Sequence, residues 1–268
     1  MANSRLPPFK KMNDPIEELR NKLKEAFFKK EADWTEKIYK SQQYQQELKY
    51  LRDISKDFVD SLRYISFYST RAGKIYDNFL CIRTIDDLIQ SSIGILFMVE
   101  NGIHNTVRRE LRFLIEMITK YVLVDYAKMG ENFQVKTEYL KDEVPNSSIE
   151  VIEDYQTPFS GDLEKEFRNE VKDLFYKSCA YVHPSKRQID EQMRNFENGN
   201  TIGFESAKML SDINRTIFRT YDMILTMVFH SFGHSMSKDL FEQIFNDNTK
   251  WKYHKGKYTK AYKGLLFI

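Results

Sequence analysis

The side chains of this chain best suited to chemistry lie in residues 177–188, KSCAYVHPSKRQ, where His183 follows Lys177 by six positions and the hydroxyls of Ser178 and Tyr181 stand close by. Imidazole is the side chain whose unperturbed pKa lies nearest neutrality, so it can take up and return a proton under ordinary conditions. A neighbouring ammonium can neutralise an oxyanion while that happens. Equally, an imidazole at the end of a helix can hydrogen-bond the last free carbonyls or complement the helix dipole and do no chemistry at all.

Two helices must position this segment. In EKEFRNEVKDLFYKSCAYV the apolar residues Phe167, Val171, Leu174, Phe175, Cys179 and Val182 recur every three or four positions, the spacing of an amphipathic helix. Pro184 cannot continue that helix and biases His183 away from helical dihedrals. Ser185 with Gln188 three residues on forms a capping box that predicts a second helix from about Lys186. His183 thus falls at a helix-to-helix elbow. A further helix over 103–129 carries a core stripe of Ile103, Val107, Leu111, Leu114, Ile115, Ile118 and Val122. On a neighbouring face His104, Arg108, Arg112 and Glu116 step by four. That stripe is suited to orienting a histidine or clamping phosphate, or else to forming surface ion pairs of little energetic worth.

The elbow, together with the earlier helix NTVRRELRFLIEMITKYVLVDY, resembles the HEPN superfamily of all-helical proteins, in particular its uncharacterised, phage-defence-associated branch. The resemblance spans roughly residues 75–235, and its specific part is about a dozen residues. It implies a homodimer in which each protomer supplies an arginine and, a few residues later, a histidine to one metal-independent ribonuclease site. It also implies an RNA substrate, no cofactor and no metal, and an antitoxin or sensor protein as a partner. Carried onto this chain, His183 would be the acid/base and Lys177 would stand where the motif has arginine, with Tyr181, Ser178, Arg112, Glu116 and Arg108 binding substrate. Lysine can neutralise a phosphate as a point charge but lacks the planar fork that holds two of its oxygens together. That departure opens the alternative of a non-catalytic helical module that binds protein or RNA.

Other candidates are weaker. His230 and His234 have the i,i+4 spacing of two metal ligands, but no third ligand stands at a recognisable spacing, so helix packing is the expected role. The stretch from Lys250 holds six lysines, no acid and the rings of Trp251, Tyr253, Tyr258 and Tyr262, a composition suited to stacking bases and neutralising phosphates. Its apolar end, Leu265 to Ile268, could instead dock on the body. No glycine-rich phosphate loop, nucleophile elbow or paired-cysteine zinc signature occurs.

With 268 residues, 41% hydrophobic and 30% charged, the chain is long enough for a substantial core, and its net charge of +2 announces no strongly basic whole. Cys81 and Cys179 are isolated thiols in apolar surroundings, as expected in a reducing compartment. The most apolar run, residues 93–99, falls far short of the ~20 residues of a membrane span, and the N-terminus lacks a signal-peptide core. A cytoplasmic location and no membrane association are expected.

The fold class expected is all-α, a helical bundle with a long N-terminal helical arm. The expected divisions are a flexible arm over 1–13, a long helical arm or helix pair over 14–70, a HEPN-like helical domain over 71–246 and a basic aromatic tail over 247–268. Within them, Asp14, Pro15 and Glu17 signal a helix start, single helices are expected over about 74–100 and 205–232, and a short helix over 135–141 inside a long connection. A last short helix is expected over 237–245, with no helix expected in the tail.

Overall fold

The structure, a computed structural model, describes residues 15–146, 148–182, 185–197, 206–245 and 248–268. His183 and Pro184, like the N-terminal arm and the loop at 198–203, lie outside the described residues. All the regular elements among the described residues are helical, so the chain is all-α.

Of the two expected forms, the N-terminal segment is the helix pair, α1 (Pro15–Tyr39) and α2 (Gln42–Ser69). Ser41 separates them: its hydroxyl accepts a hydrogen bond from the Tyr44 N–H at 3.3 Å, capping α2. The two halves of the apolar stripe have different fates. In α2, Leu48, Leu51, Ile54, Phe58, Leu62 and Ile65 are fully buried, each contributing roughly 1.5–3 kcal/mol by leaving water. In α1, Leu19 and Leu23 are 59% and 64% exposed. Only α1 therefore stands out as an arm, while α2 is a core helix.

The helix expected over 74–100 is divided into α3 (Gly73–Tyr76), α4 (Leu80–Arg83) and α5 (Ile85–Glu100). The cause is a remote carboxylate. Asp125, on α6 (His104–Ala127), accepts the N–H groups of Leu80 at 2.8 Å and Cys81 at 2.9 Å, which a continuous helix would spend on carbonyls one turn back. The short α7 (Phe133–Asp142) adds Lys136, whose ammonium lies 3.0 Å from Asp125 and 4.3 Å above the Phe79 ring, with both charged side chains buried. One ion pair thus ties α4, α6 and α7 together.

Helices α8 (Gly161–Cys179) and α9 (Lys186–Glu197) flank the elbow, and α10 (Ala207–Phe232) is the central element, packing on α2, α6 and α8. Thr220 to Phe229 of α10 are buried without interruption, as expected of a helix surrounded by others. Gly233, at φ 88°, ends α10 and turns the chain into α11 (His234–Leu240), which continues as a single π-helical turn over Phe241–Phe245. That break separates His230 from His234, so the two histidines do not share one helix face.

The basic tail folds as α12 (Lys257–Leu266) and packs on α10. Trp251, Tyr253, Tyr258 and Tyr262, the rings expected to stack on bases, are all buried. The Trp251 indole stacks on Phe245 at 4.2 Å and donates to Ser61 Oγ at 3.0 Å, and Tyr253 stacks on Phe218 at 5.2 Å. Asp222 of α10 accepts the N–H groups of Tyr258 and Thr259 at 2.9 and 3.0 Å, capping α12 from outside. The approach is so close that a Cβ on Gly256 would lie 2.1 Å from the Asp222 carboxylate, which is why glycine is required there. Among the described residues no helix is long and apolar enough to cross a membrane.

Candidate functional site

Three arginines of α6 grip the elbow. Residues three and four apart share a helix face, so Arg108, Arg109 and Arg112 present neighbouring guanidinium groups to the end of α8. Arg109 Nε donates to the Tyr181 carbonyl. Arg112 Nε lies 3.2 Å from Cys179 Sγ, and its guanidinium sits 4.9 Å from the centre of the Phe175 ring. The Arg108 guanidinium covers the Tyr181 ring at 4.2 Å, donates to Asn105 at 2.9 Å and stands 3.8 Å from Glu191 of α9. Glu116, 3.4 Å from Arg112 and 2.7 Å from Lys120, helps to orient Arg112. The face singled out by sequence thus meets the elbow, although Arg109 was missed; it sits three residues before Arg112, so the same periodicity could have named it.

The connection between α8 and α9 is fastened by Ser185, whose hydroxyl donates to the Ala180 carbonyl at 2.7 Å and accepts the Gln188 N–H at 3.2 Å. The serine half of the expected capping box is therefore present, while the buried Gln188 Oε1 finds no hydrogen-bond partner among the described residues, and α9 begins at Lys186.

Two expected substrate contacts turn inward. Ser178 is 3% exposed and donates to the Leu174 carbonyl at 2.8 Å, while Tyr181, also 3% exposed, donates to Glu191 at 3.1 Å beneath Arg108. Their hydrogen bonds and burial fit them to hold the elbow together. Lys177 and Arg108 line an open cavity of about 230 Å³ between α6, α8, α9 and α10, together with Glu191, Asp212 and Arg219. Its cations are matched by acids: Lys177 lies 2.7 Å from Asp173, and Arg219 holds Glu170 through two contacts of 2.6 and 2.7 Å. The Glu170 carboxylate raises the Arg219 pKa above its ordinary value. His104, expected on the polar face, is buried at the start of α6; burial, aided by the Arg108 charge, pushes its pKa down to about 4 and keeps it neutral. Ile103, expected in the core stripe, is exposed at the N-cap, because Gly102 at φ 72° swings the chain out just before α6.

A second cavity, about 320 Å³, is lined by Tyr76, Phe79, Tyr155, His230 and Phe232. Tyr155 Oη lies 2.8 Å from His230 Nδ1; burial lowers the His230 pKa and raises that of Tyr155. His230 is thus a hydrogen-bonded core group, and among the described residues no three His, Cys, Asp or Glu side chains converge as a metal site requires. No protein-family model, no curated protein and no solved structure matches the chain.

Proposed function

We propose that the elbow is an RNA-directed site of HEPN type, a metal-independent ribonuclease or toxin of antiphage defence built from two copies of the chain. In this proposal His183 takes the proton from a ribose 2'-hydroxyl, whose oxygen attacks the adjacent phosphorus. The 5'-oxygen leaves with a proton from the second imidazole, yielding a 2',3'-cyclic phosphate. Lys177 and Arg112 supply positive charge to the phosphate as negative charge builds there. The observation that carries the proposal is the convergence of Arg108, Arg109 and Arg112 on residues 175–181, which fixes the backbone leading into His183. Arg112 offers the planar fork that Lys177 lacks, half-buried and with its Nη1 unpaired among the described residues.

The test is cleavage of a mixed RNA pool with EDTA present, comparing the chain with His183→Ala after circular dichroism shows both equally helical. Cleavage lost only in the variant supports the assignment; equal cleavage by both sinks it. A second assignment, the non-catalytic interaction module, draws on the carboxylates beside Lys177, Arg219 and Arg108, which already compensate the cations of the cavity. Lys177→Arg separates the two: it raises cleavage by a weakened nuclease and changes nothing in a binding module.

A further inference from the structure

With its rings buried, the C-terminal segment turns its lysines outward. Along α12 the inward positions are Tyr258, Thr259, Tyr262 and Leu266, so Lys257, Lys260 and Lys263 fall together on the other side at intervals of three. Two open basins flank this segment, one of about 640 Å³ against α2 and one of about 470 Å³ against the π-helical turn, and they meet at Thr249 and His254. Lys56, Lys250, Lys252 and Lys255 line the first and Lys260 and Lys263 the second.

The acids in this cleft are few. Asp53 pairs with Lys252 at 3.1 Å, Asp57 accepts the Lys252 N–H at 2.7 Å, and no acid lines the second basin among the described residues. Lys56 is held by Asp60 at 2.7 Å. Lys250, Lys255 and Lys260 are exposed and have no carboxylate partner among the described residues. This contrasts with the elbow cavity, whose cations are matched by acids, and no residue lines both. The chain's net charge of only +2 makes a group of lysines without a carboxylate partner among the described residues, set in two adjoining basins, a local feature. The 43% exposed Phe267 in the second basin, with the Lys238 ammonium 5.5 Å from its ring, adds an aromatic side chain against which a base can stack.

We infer that the cleft on either side of His254 binds the phosphate backbone of single-stranded RNA, without sequence preference, through Lys250, Lys255 and Lys260. The inference stands on the cleft alone and survives failure of the elbow assignment. The test is fluorescence anisotropy of the full chain with a labelled 2'-O-methyl oligouridine, which has no free 2'-hydroxyl and so cannot be cut. Lys250→Glu, Lys255→Glu and Lys260→Glu combined should weaken binding at least about 10-fold and flatten the log–log salt dependence by about two units, near 0.7 for each phosphate no longer neutralised. Lys24→Glu, Lys141→Glu and Lys208→Glu combined, with the same change in charge, should cost much less, and His183→Ala should bind as the parent does. Equal losses in the two triple variants would overturn the assignment. So would binding of phosphatidylserine vesicles in place of the oligonucleotide, since Leu265, Phe267 and Ile268 are exposed nearby.

Discussion

Replacing His104 by phenylalanine should remove most of one acid-induced loss of stability. In the unfolded chain this imidazole titrates near 6.5, whereas in the fold burial and the Arg108 charge push it down to about 4. Between those values the unfolded chain binds a proton that the folded chain refuses, so stability is full above about pH 6.5 and is lost as pH falls toward 4. At about pH 4.5 the two populations differ by roughly 2.5 kcal/mol from this group alone. Phenylalanine keeps the apolar volume and discards Nε2, which is buried without a hydrogen-bond partner. The variant should therefore equal or exceed the parent at neutral pH and outlast it increasingly in acid. Urea denaturation of both proteins at several pH values measures this, and the difference between them cancels other groups. Those include His230, whose lowered pKa acts in the same direction, and Asp57 and Asp222, whose carboxyls burial raises and which act in the opposite one. Parallel curves for parent and variant across the whole range would refute the burial of His104 as the cause.

Lys136→Met should cost about 3–5 kcal/mol in the same assay, because it leaves the Asp125 carboxylate buried without its cation. Adding Asp125→Asn should restore part of that loss; a single-variant loss below about 1 kcal/mol would contradict a dry pair. Gly256→Ala should destabilise by about 1–3 kcal/mol, since its Cβ has no room beside Asp222. Limited trypsin digestion should then cut first within 250–263, and an unchanged digestion pattern would show that α12 is not held through Asp222.

The elbow was largely legible in the residues that form it. A serine three residues before a glutamine begins α9, a signal that acts through the few residues beside it, so α9 starts where Ser185 caps it, while α8 ends at Cys179, short of the Val182 to which its apolar spacing ran. The α6 arginine face was legible for the same reason, because helical periodicity is local. The burial of Tyr181 and Ser178 was not legible, because polar side chains near a candidate histidine say nothing of which way they point. Here Tyr181 lies beneath Arg108, a residue 73 positions earlier in the chain. The division of the 74–100 helix was illegible because its cause, Asp125, comes from another helix.

By itself, then, the sequence determined that this protein is all-α, where most of its amphipathic faces run and that Ser185 begins α9, since these follow from short-range periodicity and local capping. Tertiary structure alone decided which lysines stay free. A lysine's use depends on whether a carboxylate from a distant helix stands within about 4 Å of it. Asp125 of α6 does so for Lys136 of α7, whereas Lys177 finds Asp173 one turn back on its own helix; along the tail Asp222 takes backbone N–H groups instead, and Lys250, Lys255 and Lys260 have no carboxylate partner among the described residues.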